Sequence, residues 1–340
     1  MIKEAIALLI DGKSLTMQQA SEVMEEITTG NVSPAQFGAF VTALRIKGET
    51  ADEIAGLASV MRAKSVRVET PAPVIDIVGT GGDNSRSFNI STAAAFVAAG
   101  AGIKVAKHNN RAMTSQCGSA DVLEALGMKI ELDAAQVKDC IEKVGIGFMF
   151  APLFHPSMKF AAAPRRELGV RTVFNILGPL TNPALVEAQV LGVASANLGD
   201  KMVRVLQRLG TKRALVVHGL NGMDEITVAG KSRVWELRDG EITQYDISPE
   251  DFGMTEAAVE TLVGGTSEEN AAIMRSVLEG EKGPRRDAVV MNAAAGIALV
   301  NNAQGIPALK EGVEISIETI DSGKAMEKLE KLVSLSRSYG

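Results

Sequence analysis

The chain has 340 residues, 46% of them hydrophobic and 22% charged, with 35 Lys and Arg against 41 Asp and Glu for a formal charge of −6. That composition excludes the disordered class and is enough chain for about two domains. The negative balance, with no long Lys/Arg run, argues against sequence-independent nucleic-acid binding. The three histidines (His108, His155, His218) and two cysteines (Cys117, Cys140) lack zinc-site spacing, so any metal is expected to be a hard cation held by oxygen.

In chain order, the first 70 residues read as helical. Apolar residues recur at helical spacing over Ile2–Leu9, Thr16 can N-cap a helix to about Ile27, and Ser33-Pro34 opens a third that stops near Gly48. Thr50 with Glu53 forms a capping box for a fourth. The opening Met1–Lys13 has one short apolar run, Ala5–Ile10, with no cleavage site behind it, so a cytosolic, reduced protein is expected. Two prolines in Glu69–Pro73 then break the helical pattern and mark a boundary.

From Val74 apolar runs alternate with glycine-rich turns and Ala-rich helices: a strand at Val74–Val78, a loop at Gly79–Gly82, a helix at Ser91–Gly100 and a strand at Ile103–Ala106. Further strands are expected at Ala214–Val217 and Val313–Ile317. Helices are expected near Leu198–Leu209, Asn270–Leu278, Ala288–Asn301 and Ser322–Ser336. The longest uncharged stretch, Phe88–Ile103, is 16 residues and too polar for a membrane span. The expected fold class is α/β: a small all-helical domain over 1–70 and a large domain over 74–340, its central mixed or parallel sheet flanked by helices.

The sharpest local signal is Asp76-Ile77-Val78-Gly79-Thr80-Gly81-Gly82-Asp83, a strand ending in glycines and an acid. Glycines let the backbone approach a ligand, and successive free N–H groups cradle an anion. The run does not match Walker A, and Asn84 stands where a dinucleotide fingerprint needs its third Gly. By itself it is equally an ordinary tight turn. The sequel, Asn89-Ile90-Ser91-Thr92 before an Ala-rich helix, supplies caps and a helix N-terminus able to hold phosphate. The next strand delivers Lys107-His108-Asn109-Asn110-Arg111, then Thr114-Ser115 and Gly118-Ser119. Cations at the end of a buried strand are costly unless they meet anions.

These segments, with GSADVLEALG (118–127), RRELGVRTVFNILGPLTNP (165–183) and HGLNGMDEI (218–226), resemble the anthranilate phosphoribosyltransferase family from end to end. The resemblance implies that phosphoribosyl pyrophosphate lies on the glycine loop. Its contacts would be Gly79, Gly82, Asp83, Ser87, Asn89, Ile90, Ser91 and Thr92, with Lys107, His108, Asn109, Asn110, Arg111, Ala112, Met113, Thr114, Ser115 and Ser119 closing over the phosphates. It implies Mg²⁺, with two ions, held by Ser91, Asp224 and Glu225. Anthranilate would meet Gly79, His108, Asn110, His155, Arg165 and Gly178, with Arg165 on its carboxylate. The resemblance further implies a homodimer through the N-terminal helices, a cytoplasmic location, and no nucleic-acid or membrane partner. The segment near 165–182 would return to the helical domain, with a hinge at Pro71–Pro73.

One motif departs from the family's Lys-His-Gly-Asn-Arg: Asn109 replaces the glycine. Asn tolerates a left-handed backbone, so the turn is expected to survive with an added side chain beside the acceptor. An aniline nitrogen is neutral at pH 7, so no general base is assigned. The alternatives are a pyrimidine nucleoside phosphorylase of the same fold and a non-enzymatic nucleic-acid-binding relative. The segment 165–183 and the pair Asp224-Glu225 weigh against the first, and the negative charge against the second.

Overall fold

A computed structural model describes residues 1–70, 73–112, 116–301 and 303–339. Helices α1 (Ile2–Ile10), α2 (Met17–Thr28), α3 (Pro34–Lys47) and α4 (Ala51–Lys64) come first. Capping boxes start three of them, Thr16 with Gln19, Ser33 with Gln36 and Thr50 with Glu53, each closing two otherwise open backbone donors. Glu53 is fully buried: it accepts from the N–H groups of Leu15 (2.9 Å) and Thr50 (2.7 Å) and pairs with Lys47 at 2.9 Å. Of the expected hinge, Pro71 and Ala72 lie outside the described residues.

The α/β part runs β1 (Ile75–Gly79), α5 (Ile90–Gly100), β2 (Val105–Asn109), α6 (Ser119–Ala125), α7 (Ala134–Lys143), β3 (Ile146–Phe150), α8 (Ala151–Phe154), α9 (Lys159–Leu168) and α10 (Phe174–Leu177). It continues β4 (Ala188–Gly192), α11 (Ala196–Arg208), β5 (Arg213–Gly219), β6 (Ser232–Arg238), β7 (Glu241–Ile247), α12 (Ser267–Leu278), α13 (Pro284–Ala298), α14 (Gly305–Asp321) and α15 (Lys324–Arg337). The seven strands form one mixed sheet in the order β3-β2-β1-β4-β5-β6-β7, parallel through β5 and antiparallel for β6 and β7.

Two cores cover the two faces. One joins α5, α13, α14 and α15 to β1 and β2. The other joins the four N-terminal helices to α11 and to Val78, Leu191, Val216 and Trp235 of the sheet. The helical domain therefore shares a core with the sheet, and α9, in the return segment, packs on α2 and α3. Chain order reverses between β1 and β4, since β2 and β3 lie to one side of β1 and β4 to the other. In open α/β sheets the crevice beyond the strand ends at that point is where ligands bind.

Two expectations are corrected. Val313–Ile317, read as a strand from its apolar alternation, lies inside α14; the buried residues Ala308, Leu309, Gly312, Val313, Ser316 and Ile320 follow the helical period, and Ile317 is exposed. Asn109 is not left-handed: it ends β2 in register with Phe150, and the positive-φ residues of the neighbourhood are Gly81, Gly82, Asn84 and Arg86. The Asn109 side chain instead accepts the Asn110 N–H at 2.8 Å, as Asn110 Oδ1 does for Arg111 at 2.8 Å, so side chains cap the chain as it leaves the strand.

Candidate active site

A cavity of about 580 Å³ opens at the switch point, of a size that takes small substrates. Its floor is set by a glycine pair. Gly79 and Gly192 face each other in register across β1 and β4. A Cβ on Gly79 would come within 3.0 Å of Asp224 Cγ, and one on Gly192 within 2.6 Å of the Asp224 carbonyl carbon. Asp224 sits in the space that the two missing methyls leave. Its carboxylate accepts the Gly81 N–H at 2.6 Å, and its own N–H lies 3.5 Å from Asp83 Oδ2. The loop after β5 is thus clamped onto the loop after β1.

The clamp concentrates negative charge. Asp83, Asp224 and Glu225 line one end of the cavity, and Asp224 and Glu225 are both buried. Burial, reinforced by the Asp83 charge, pushes Asp224 up to about 7. Burial and the neighbouring Asp224 push Glu225 well above the carboxylate range. A cation would relieve both. The donors are hard oxygens, which suits Mg²⁺, although no trio of His, Cys, Asp or Glu among the described residues forms a closed metal cage.

Beside the acids stands the start of α5. Asn89 occupies the N-cap position, but its side chain does not cap: Oδ1 accepts from Asn270 at 2.9 Å and Nδ2 donates to the Cys117 carbonyl at 3.3 Å. Ile90 and Ser91, first in the helix, line the cavity, as do Gly82, Ser87 and Ser119. The expected phosphate end is therefore assembled from three separate loops.

The other end is less polar. His108 and His155 lie with ring centroids 5.0 Å apart, both buried. Burial, and for His108 the neighbouring His155, holds both below the ordinary histidine value, His155 at about 4. Both are neutral at pH 7. Both nitrogens of His108 and Nε2 of His155 lack a partner at normal hydrogen-bond geometry among the described residues, although the Gly178 and Thr181 backbones lie nearby. Arg165 lies over the Phe174 ring at 5.4 Å, with no carboxylate within 4 Å among the described residues, and burial lowers its pKa. Asn109, Asn110, Ala112 and Gly178 also line the cavity, and Met61 of α4 reaches it from the helical domain.

Some expected residues stand elsewhere. Lys107 is not on the cavity wall but fully buried behind it, donating to the Ile77 carbonyl at 2.6 Å. Successive strand residues face opposite ways, so with His108 turned to the cavity Lys107 is turned away, and its effect there is a field rather than a contact. Thr92 is also behind the wall, its hydroxyl donating to Ser119 at 3.0 Å. Arg111 is on the wall, but its anions are the protein's own, Asp121 at 3.0 Å and Glu124 at 2.8 Å. Met113, Thr114 and Ser115 lie outside the described residues.

Sequence reasoning missed Gly192 and Arg171. Gly192 carries no local signal, because the residues it meets come from β1 and from the loop after β5, both distant in the chain. Arg171, one of three arginines between 165 and 171, donates to the Gly81 carbonyl at 3.0 Å. Also hidden was the buried Asp76, which accepts from Asn182 at 2.8 Å and is raised to about 6 by burial, with Lys107 opposing.

Two family models match, "Glycosyl transferase family, helical bundle domain" over residues 3–65 and "Glycosyl transferase family, a/b domain" over 71–326. The anthranilate phosphoribosyltransferase of Dehalococcoides mccartyi is 58% identical, with 99% of each chain covered. The crystal structure of the Thermus thermophilus anthranilate phosphoribosyltransferase is 46% identical with a TM-score of 0.91, covering 98% of this chain and 99% of that one. The Saccharomyces cerevisiae enzyme in complex with PRPP and Mg is 30% identical with a TM-score of 0.91, covering 99% and 98%. With relatives this close over the full length, and with the two-ended cavity at the switch point, the chain belongs to the anthranilate phosphoribosyltransferase family.

Proposed function

We propose that the protein transfers the phosphoribosyl group of 5-phosphoribosyl 1-pyrophosphate to the amine of anthranilate, releasing pyrophosphate, in tryptophan biosynthesis. The observation that carries this is one cavity with two unlike ends. One has a glycine loop, hydroxyls and three carboxylates; the other has a guanidinium with no carboxylate beside it among the described residues and two neutral histidines. The first suits a diphosphate ester with its counter-ion. The second suits a flat aromatic acid.

In this reading the chain works by holding two substrates in line. Arg165 takes the anthranilate carboxylate, and its place over Phe174 fixes the aromatic ring below. His108 and His155, neutral with unpartnered nitrogens, offer hydrogen bonds to amine or carboxylate without adding charge. The amine is already a free base, so attack on the ribose carbon needs orientation more than deprotonation. The Gly79–Gly82 loop and the start of α5 would face the departing pyrophosphate, with Ser87, Ser91 and Ser119 supplying hydroxyl donors, since the Gly81 N–H is already given to Asp224. Ser91, Asp224 and Glu225, with Asp83 near them, would hold Mg²⁺, two ions in the full reading. When bound, Mg²⁺ neutralises charge on the leaving group. Met61 and the 165–182 segment, which packs with the helical domain, wall one side of the cavity and the glycine loop of the α/β domain another, so closure of the helical domain onto the α/β domain would exclude water.

A homodimer through the N-terminal helices belongs to the same reading, supported by Ile10 and Ile46, which are 72% and 82% exposed. A cytoplasmic location is supported by the two cysteines, neither of which is in a disulfide. The test is anthranilate consumption, followed by its fluorescence, with phosphoribosyl pyrophosphate and Mg²⁺. Turnover is expected, and Arg165→Ala should raise the anthranilate KM by roughly 10- to 100-fold, the worth of a charge-assisted bond, with little change for the other substrate. No turnover by the unaltered protein would overturn the reading, and equal effects on both substrates would remove Arg165 from the carboxylate.

A further inference from the structure

Arg171 is carried by the segment that returns from α9 toward the helical domain, two residues after Gly169, whose left-handed backbone (φ +61°) ends that helix. The next turn is fixed by the Thr172 N–H donating to Asn175 Oδ1 at 2.9 Å. From there the side chain crosses to the glycine loop. Nη2 donates to the Gly81 carbonyl at 3.0 Å, and the guanidinium fills the place where a Cβ on Gly82 would stand. Gly82 also has φ +77°, so its lack of a side chain serves the turn and admits the arginine together.

The charge of this arginine is unmatched. No carboxylate lies within 4 Å of it among the described residues, whereas Arg111 on the same cavity wall holds two. A guanidinium has five N–H donors in a fixed fork, and one neutral carbonyl uses one of them. Half-buried and lining the cavity, it stands at Gly81 and Gly82 of the glycine loop, which lines the same cavity as Ser87, Ser91 and Ser119. Planar guanidinium forks match phosphate oxygens two at a time, which a lysine ammonium does not.

We propose that Arg171 is a further substrate-binding residue: it contacts the diphosphate of the phosphoribosyl donor and, through the Gly81 carbonyl, ties the return segment to the loop that cradles it. This rests on the function proposed above for the same cavity. It differs from the expected placement, in which the cations on the diphosphate were Lys107 and Arg111. The first is behind the wall and the second is matched by Asp121 and Glu124.

The test compares Arg171→Lys, which keeps charge, with Arg171→Gln, which keeps a neutral donor for the Gly81 carbonyl, and Arg171→Ala. The readouts are the KM of each substrate and inhibition by inorganic pyrophosphate in the presence of Mg²⁺. Arg171→Gln and Arg171→Ala should raise the phosphoribosyl pyrophosphate KM and the pyrophosphate inhibition constant by about tenfold or more, the worth of a charge-assisted bond. The anthranilate KM should move less than about threefold, and Arg171→Lys should recover a substantial part of the loss. If Arg171→Gln matches the unaltered protein in both diphosphate readouts, the residue is only a tether and the proposal falls; it falls equally if all variants stay within about twofold. Should Arg171→Ala not fold, the Lys and Gln pair decides alone. If the unaltered protein does not consume anthranilate, the functional reading has failed instead. Calorimetric titration of pyrophosphate and Mg²⁺ into the unaltered and Arg171→Gln proteins then still decides Arg171, with weaker binding by the variant expected and equal binding overturning it.

Discussion

Replacing Gly192 by alanine tests whether the two strand-end glycines exist to seat Asp224. The residue ends β4 without a positive φ, so the substitution adds a methyl to a backbone that alanine readily adopts. The methyl would stand 2.6 Å from the Asp224 carbonyl carbon and nearer still to its oxygen, against the 3.4 Å at which ordinary contact begins. The carbonyl oxygen sets the shift, so the loop after β5 must withdraw by more than about 1 Å, and with it the carboxylate bonded to the Gly81 N–H. Overpacking of this kind costs roughly 1–3 kcal/mol, a fall in Tm of roughly 1.5–4 °C for a chain of this size. The larger effect is on turnover, since a displacement near 1 Å in a positioned site can cost about 100-fold. Steady-state kcat/KM by anthranilate fluorescence, with a thermal melt on the same sample, measures both. Activity within about threefold of the unaltered protein, with unchanged Mg²⁺ dependence, would refute the account of Gly192 as the seat of Asp224.

Three further outcomes are expected. Glu53→Ala leaves Lys47 in a buried site without its partner and frees two backbone donors, so urea unfolding should show a loss of about 3–5 kcal/mol; a loss under about 1 kcal/mol would show that water replaces the carboxylate. Asp224→Asn with Glu225→Gln should cut turnover by at least about 100-fold and raise the Mg²⁺ concentration needed for half-maximal rate, and an unshifted magnesium curve would contradict their role at the cation. Burial holds His155 at about 4 rather than 6.5, so between those values the unfolded chain binds a proton that the folded chain refuses. Stability therefore falls as pH drops from 6.5 and the His155 share is fully lost below 4, with about 2 kcal/mol gone between pH 7 and pH 5 at about 1.36 kcal/mol per pH unit. His155→Leu should remove that part of the pH dependence, and parallel unfolding curves for the two proteins would exclude the histidine as its source.

What was legible in the chain was local. The capping boxes at Thr16, Ser33 and Thr50 are sequence signals because both partners lie three residues apart, and the helices begin where they say. The glycine loop was legible because the strand ending in Gly79-Thr80-Gly81-Gly82 is followed closely by Asn89–Thr92 at a helix start, a pairing that an ordinary tight turn does not require. Two of the parallel strands were harder. β3 and β4 are five residues each and buried on both faces, so they carry no alternation to separate them from helix. In Val313–Ile317 a brief alternation imitates a strand inside a 17-residue helix whose longer period decides the matter.

By itself, then, the sequence determined the two-part architecture, the acidic balance, the anion loop and the family, because these rest on contiguous residues and long ordered motifs. Only the tertiary structure decided how charge is distributed in the site. It turned Lys107 behind the wall onto the Ile77 carbonyl, gave Arg111 two carboxylates, left Arg165 and Arg171 facing the cavity without them, and set Asp224 on Gly79 and Gly192. The reason is physical: whether a cation is available to a ligand depends on what else lies within a few ångströms of it, and those neighbours come from strands and loops far apart in the chain.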